Sequence, residues 1–94
     1  MHLLLAYDVS TGTPAGQRRL RRVARACADY GQRVQKSVFE CHVGPTEWSL
    51  LRQRLLAEAD LKEDSLRIYF LDSGVRWEHH GVNEPVDLDG PLVI

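Results

Sequence analysis

The sequence has 94 residues with a formal net charge of −1; 44% of its residues are hydrophobic and 27% are charged. This length and composition predict one soluble globular domain. No apolar run approaches the roughly 20 residues that span a bilayer, and the N-terminus lacks the basic region of a signal peptide. Cys27 and Cys41 have neither the number nor the spacing of a disulfide framework or a zinc site. We therefore expect a cytoplasmic protein with reduced thiols and no membrane contact.

The charges are unevenly divided along the chain. Residues 1–43 contain seven basic and three acidic groups, whereas residues 44–94 contain five basic and ten acidic groups. This division predicts one face that binds a polyanion and another that is only solvated. A chance distribution of charges is the alternative.

The N-terminal third reads as a strand followed by a helix. Residues 2–9 form a nearly continuous apolar run, which is typical of a strand covered on both faces. Thr13 followed by Pro14 predicts a helix start, and the helix should cover residues 14–30 and stop at Gly31. Its inward face is predicted from helical spacing to contain Leu20, Val23, Ala24, Cys27 and Tyr30.

The rest of the chain alternates strands with a second helix. Residues 33–43 are long enough for one bent strand or a tight pair of short strands. Thr46 is predicted to cap a helix over residues 46–60, and residues 65–71 and 75–80 read as further strands. The polar residues between this helix and the next strand are read as a loop. The buried stripe of the second helix is predicted to be Trp48, Leu51, Leu55, Leu56 and Ala59.

This order predicts an α+β, ferredoxin-like βαββαβ sandwich with an extra C-terminal strand. We expect the domain over residues 1–80 and, over residues 81–94, a tail that contacts a dimer partner or another protein. Both helices would cover one face of the sheet, yet the strands look buried on both faces. A sheet-to-sheet homodimer resolves this conflict. The apolar C-terminal segment LVI could add an edge strand to the sister subunit or to another partner.

Asp8 is the first candidate functional residue, because it closes an apolar strand in which a carboxylate is disfavoured. Leu4, Ala6 and Asp8 share one face of that strand. If this face meets its symmetry mate, two Asp8 carboxylates approach each other and repel unless a divalent cation lies between them. Mg²⁺ binds one or two carboxylates together with waters and phosphate oxygens. The alternative is that Asp8 hydrogen-bonds its own turn and only ends the strand.

The first helix is the second candidate, because five arginines lie on it away from its apolar face. No acid precedes Asp29 on this helix, which argues against ion pairs within it, and arginine suits planar contact with phosphates. A solvated helix face is the alternative. Arg33 and Lys36 would extend the basic surface. The residues predicted to bind nucleic acid are Arg18, Arg19, Arg22, Arg25 and Arg33, with Arg21 beside them.

Aromatic and histidine side chains give weaker signals. Tyr7 and Phe39, on neighbouring strands, could stack bases, although core or dimer packing is the favoured reading. His79 and His80 are adjacent and point to opposite faces of a strand, while His2 and His42 are isolated in the sequence. We therefore expect no histidine metal site.

Three segments together resemble the CRISPR-associated protein two family: YDVS at residues 7–10, YGQRVQKSVFEC at residues 30–41 and DSLRIYFL at residues 64–71. The resemblance covers about residues 1–80. It implies a ferredoxin-like homodimer whose metal-binding and catalytic aspartate is Asp8, with Mg²⁺, or alternatively Mn²⁺, as the cofactor. The linker after Asp8 lacks the acidic pair often found there in the family, which predicts a low metal affinity.

The resemblance also implies a function in CRISPR adaptation. Members of the family are described as metal-dependent endonucleases that cut single-stranded RNA or duplex DNA, and as scaffolds that bind duplex DNA and the adaptation integrase during spacer acquisition. In the enzyme reading, Arg19 or Arg22 stabilises the developing charge. A structural adaptor without catalysis and a stand-alone toxin-like ribonuclease of the same fold are the alternatives. Weaker candidates for shaping the site are Tyr7, Ser10, Ser37 and Phe39.

Overall fold

The computed structural model describes residues 1–72, 74 and 76–83, which form two helices and a five-stranded antiparallel sheet. The strands are β1 (His2–Asp8), β2 (Gly31–Gln35), β3 (Val38–His42), β4 (Ser65–Phe70) and β5 (Arg76–Gly81), and the helices are α1 (Pro14–Tyr30) and α2 (Pro45–Glu58). The order across the sheet is β2-β3-β1-β4-β5. Removing β5 leaves the βαββαβ arrangement, so the predicted fold class is confirmed, with β5 as the additional strand. The predicted C-terminal segment LVI lies outside the described residues.

The side chains of the central strand β1 alternate between the two faces of the sheet. Leu3, Leu5 and Tyr7 are buried, and they pair in register with equally buried residues of β3 and β4. Together with the helices, these side chains form the hydrophobic core, and we call this side the helix-covered face. The opposite side, the open face, has partly exposed residues and the exposed Asp8. Its members on β1 and β4 are Leu4, Ala6, Asp8, Arg67 and Tyr69.

Helix α1 begins and ends as its sequence predicts. The Thr13 hydroxyl accepts a hydrogen bond from the Gly16 N–H at 3.1 Å, and Pro14 occupies the first turn. Gly31 ends the helix in an extended conformation and opens β2 directly. A Cβ at Gly31 would collide with the Cys41 sulfur and the Glu40 carbonyl, so close approach to β3 requires glycine here. The predicted inward face is correct and also includes Ala26.

Residues 31–42 form a pair of short strands, and not a single bent one. Lys36 and Ser37 make the turn between β2 and β3, and the register shifts between Arg33 and Gln35. The predicted cap of the second helix is wrong. Gly44 is the N-cap of α2, and its N–H donates to the Glu47 side chain at 3.0 Å, while Thr46 lies inside the first turn.

Strand β5 starts at Arg76, within the predicted range. It ends at Gly81, where φ is +99° and a side chain would collide with the carbonyl of Asp64. This glycine lets β5 close tightly against the segment that precedes β4. Neither helix is both long enough and apolar enough to cross a membrane, within the part of the chain that the structure describes.

Candidate functional site

Asp8 borders an open cleft of about 280 Å³ at one end of the sheet. The antiparallel register places Asp8 beside Ser65 and Ala6 beside Arg67 on the neighbouring strand. The lining residues are Ala6, Tyr7, Asp8, Ser65, Arg67 and Asn83. A carboxylate and a guanidinium therefore border one solvent-accessible cleft, an arrangement that can hold a cation and a phosphate side by side.

The Asp8 carboxylate is available for a ligand. It is exposed, and among residues 1–72, 74 and 76–83 no hydrogen bond or ion pair reaches it. The turn after β1 does not depend on it either, because the Ser10 N–H donates to Asp64 Oδ1 at 3.1 Å. The alternative reading of Asp8, as the residue that hydrogen-bonds its own turn, is therefore not what the structure shows. One free carboxylate in an open cleft suits Mg²⁺, which completes its shell with waters and phosphate oxygens.

Asp64 is the residue that the sequence reading missed. It lies in the segment read as a polar loop, yet it is fully buried. Its oxygens accept hydrogen bonds from the Ser10 N–H, from the Asp60 N–H at 2.9 Å, and from Arg19, whose Nε lies 2.9 Å from Oδ2. Asp64 thus ties the loop after Asp8, helix α1 and the start of β4 to one point. No local pattern marks this position, since Ser10 and Arg19 lie far away in the sequence.

The surroundings of Asp64 favour its charged form. Burial by itself would raise the pKa of this carboxyl, but the Arg19 guanidinium and the N–H groups of Asp60 and Ser10 outweigh burial and lower the pKa below its ordinary value of 3.8. The same pairing raises the pKa of the Arg19 guanidinium. Asp64 is therefore a charged, fully partnered anchor, and the cleft beside it has a defined shape.

The arginines of α1 divide into one anchored side chain and a group that faces solvent. Arg19 is 17% exposed and bonds to Asp64 and Glu63, so it holds the fold together. The argument against ion pairs within this helix is wrong for Arg25, which lies 3.5 Å from Asp29, and Arg22 lies 3.9 Å from Glu58 on α2. Both pairs are weak because Arg22 and Arg25 are 66% and 77% exposed.

Two arginines of α1 have no ion pair within the described part of the chain. Arg18 and Arg21 are exposed and approach no acidic side chain among those residues. Together with Arg22 and Arg25 they make up a positively charged surface, which we call the α1 basic surface. This surface lies on the outer side of the helix layer, whereas Asp8 lies on the open face of the sheet.

Several weaker candidates lie on the helix-covered face. Tyr7 also borders the cleft, but its ring is buried and stacks on Phe39 with ring centres 6.2 Å apart. Burial raises the pKa of its hydroxyl. The Arg33 guanidinium lies 5.0 Å from the centre of the Phe39 ring. Arg33 is exposed and its guanidinium lies over the Phe39 ring, and neither aromatic ring is available to stack bases.

The remaining candidates are placed as follows. Ser10 is exposed and Ser37 is partly exposed; both lie at the Asp8 end of β1, where the Ser37 carbonyl accepts from the Tyr7 N–H at 3.1 Å. Burial raises the pKa of Cys27 to about 12 and that of Cys41 to about 11, so both thiols are poor nucleophiles. Arg67 was not predicted as a site residue. Strand alternation places Arg67 and Tyr69 on one face of β4, and this is the face of Asp8.

The structure brings together one pair of histidines that is isolated in the sequence. His2 and His42 are neighbours across β1 and β3, with stacked rings whose centres are 4.0 Å apart. His79 and His80 do point to opposite faces: His79 bonds to Ser65 and His80 to Glu78. The first pair was missed because its proximity depends on strand register, and no pattern within either strand shows it.

Comparison with known proteins places this geometry in a family. The family model described as CRISPR associated protein Cas2 matches residues 1–78. The chain is 58% identical to the CRISPR-associated endoribonuclease Cas2 of Chlorobaculum tepidum, with 100% of both chains covered. It is 53% identical to the protein of the same name from Nitratidesulfovibrio vulgaris, with 100% of this chain and 94% of that one covered.

A solved structure shows the same fold. The crystal structure of Streptococcus pyogenes Cas2 at pH 6.5 superposes with a TM-score of 0.71 and 54% identity, covering 79% of this chain and 89% of that one. Sequence, family match and fold therefore agree, and the chain belongs to the CRISPR associated protein Cas2 family.

Proposed function

We propose that this chain is a CRISPR adaptation protein that binds nucleic acid and hydrolyses phosphodiester bonds with the help of Mg²⁺ held by Asp8. The observation that carries the proposal is the exposed Asp8 carboxylate, which has no partner among residues 1–72, 74 and 76–83 and borders a cleft that also contains Arg67. The names of the relatives, endoribonuclease Cas2, support the same reaction class. Mn²⁺ is the alternative cation, because it also prefers oxygen ligands.

Two side chains of the cleft, Asp8 and Arg67, have different roles in this proposal. Asp8 would hold the cation, which when bound supplies Lewis-acid activation of the phosphodiester and of water. Arg67 donates one hydrogen bond to the Asn83 carbonyl at 3.2 Å, and its remaining N–H groups can bind a phosphate oxygen. Arg19 is not available for this purpose because Asp64 and Glu63 already occupy its guanidinium. The charge-stabilising residue is therefore Arg67 in this proposal.

A homodimer through the open face would complete the site. One carboxylate per chain is a weak cation ligand set, and a second copy would bring a second Asp8 to the same place. The open face supports this pairing because Tyr69 and Trp77 oppose each other on it in adjacent strands and are only partly buried. Covering these rings with a second sheet would remove apolar surface from water.

The scaffold function is the second candidate, and a different surface favours it. Arg18, Arg21, Arg22 and Arg25 line the outer side of α1, where a duplex can approach without reaching Asp8. Such contacts bind phosphates without reading sequence. We propose that this surface contacts duplex DNA in complex with an adaptation integrase, whether or not Asp8 is catalytic.

Cleavage by matched aspartate variants tests the enzyme function. Labelled single-stranded RNA and short duplex DNA are incubated with wild type, Asp8→Asn or Asp72→Asn in Mg²⁺, Mn²⁺ or EDTA. Sedimentation of each preparation measures whether it is a dimer. Asp72 is an exposed aspartate just after β4, so it controls for loss of surface charge. We expect metal-dependent cutting that Asp8→Asn loses by at least about a hundredfold and that Asp72→Asn keeps.

The other outcomes decide between the two functions. Equal cutting by wild type and Asp8→Asn contradicts a catalytic Asp8 and indicates a contaminating nuclease. If no variant cuts either substrate, the scaffold function is favoured.

A further inference from the structure

A second cluster of metal-ligating side chains lies at the opposite end of β1 from Asp8. His2 is at the start of β1, and Glu40 and His42 are on β3. The register pairs His2 with His42 and Leu4 with Glu40, so the three side chains project from the open face. One ligand atom from each residue lies within 4.8 Å of the other two. Three potential donors therefore converge on a volume that one ion can fill.

The side chains of this cluster are preorganised by the sheet and, in the single chain, accessible to solvent. His2 Nε2 lies 2.9 Å from Glu40 Oε2, and the rings of His2 and His42 stack at an interplanar angle of 15°. His42 is exposed, and the other two residues are partly exposed. Because the backbones are held by the β1–β3 pairing, only side-chain torsions must adjust for both imidazole lone pairs to point at a common ion. The ordering cost of such a site is small.

The donor set selects a different class of ion from the one that suits Asp8. Two imidazoles and one carboxylate form the ligand set of zinc sites that keep a position for water, and they also suit Co²⁺ and Ni²⁺. Mg²⁺ prefers oxygen ligands. Asp8 lies six positions after His2 on β1, a distance of about 20 Å along a strand, so the two positions cannot share one ion.

We propose that His2, Glu40 and His42 form a binding site for a divalent transition-metal ion, with Zn²⁺ as the representative ligand. The ion replaces the His2–Glu40 hydrogen bond with three bonds to protein atoms and leaves at least one coordination position for water. It cross-links the first residue of β1 to the last residue of β3. The bound ion therefore stabilises the folded chain, because an unfolded chain does not bring these donors together.

Calorimetric titration of the untagged, EDTA-treated chain with Zn²⁺, in the absence of nucleic acid, tests the site. We expect one Zn²⁺ per chain and a loss of affinity of at least about tenfold in His42→Gln, because one of three protein ligands is removed. His80→Gln is the matched control, since His80 contacts Glu78 and lies outside the cluster. Asp8→Asn should bind Zn²⁺ as wild type does, which separates this site from the proposed nuclease site.

Thermal unfolding gives an independent readout. Zn²⁺ should raise the Tm of wild type and of His80→Gln by several degrees, and it should not raise the Tm of His42→Gln or Glu40→Gln. Circular dichroism of each metal-free variant confirms that it is folded. Undiminished Zn²⁺ affinity in both His42→Gln and Glu40→Gln would overturn the proposal, as would an equal loss in His80→Gln. Failure of the Asp8 cleavage experiment would leave this inference unaffected.

Discussion

Two aspartates lie at the same end of the sheet in opposite surroundings. Asp8 ends β1, is exposed, and has no partner within the described residues. Asp64 comes just before β4, is fully buried, and accepts hydrogen bonds from three different residues. The same side chain is thus an exposed carboxylate in one place and a structural anchor in the other.

Asp64 holds the segment that follows Asp8. Asp64 accepts hydrogen bonds from the N–H of Ser10, which lies two residues after Asp8, and from the side chain of Arg19 in the second turn of α1. The loop that leaves Asp8 therefore needs no help from the Asp8 carboxylate, which stays available to the cleft. The residue type alone does not separate these two roles; burial and partners do.

The largest expected effect is a difference in stability between variants of the two aspartates. Asp64→Ala should lower the free energy of unfolding by about 2–4 kcal/mol, because the Ser10 and Asp60 N–H groups lose their acceptor and Arg19 keeps only the exposed Glu63. Asp8→Ala should change it by less than about 0.5 kcal/mol, since Asp8 is exposed and makes no hydrogen bond or ion pair within the described residues. Urea denaturation followed by circular dichroism measures both. Similar losses of stability in the two variants would contradict the structural role assigned to Asp64. If Asp64→Ala does not fold, Asp64→Asn replaces it in the comparison.

A lower pH should reduce the contribution of Asp64 to the free energy of unfolding. The pKa of Asp64 is lowered in the folded chain, so its stabilising effect is complete above the ordinary value of 3.8 and is lost as the pH falls through the lowered folded-state pKa. The difference in unfolding free energy between wild type and Asp64→Asn should therefore narrow as the pH falls below 3.8. Urea midpoints at a series of pH values measure this difference. A gap that stays constant across the series would show that the charge of Asp64 is not what stabilises the fold.

The smallest expected effect concerns the α1 basic surface. Arg18→Gln should weaken duplex binding and reduce the slope of log K against log salt by about one unit, the contribution of one phosphate contact. Lys62→Gln removes an exposed cation from the loop before β4 and should leave the slope unchanged. Fluorescence anisotropy with a labelled duplex at several salt concentrations measures the slopes. Equal slopes in wild type and Arg18→Gln would show that nucleic acid does not contact this helix at Arg18.

Local signals predicted most of the fold. The bounds of α1 follow from Thr13, Pro14 and Gly31, which act on their immediate neighbours. The alternation in β1 assigned Asp8 to the face opposite Leu5 and Tyr7, and the structure agrees. The break between β2 and β3 was left open because its turn, Lys36–Ser37, contains neither glycine nor proline. The cap of α2 was misassigned because Gly44 has no side chain to signal it.

The sequence by itself determined the fold class, the family and the position of Asp8 at a strand end, since these follow from periodicity, helix caps and short motifs. The tertiary structure decided which carboxylate is free, which arginine is occupied and which histidines meet. Ser10 and Arg19 reach Asp64 across 54 and 45 positions of sequence, and His2 meets His42 only through strand register. Burial and register depend on parts of the chain that are distant in sequence, so no local pattern contains them.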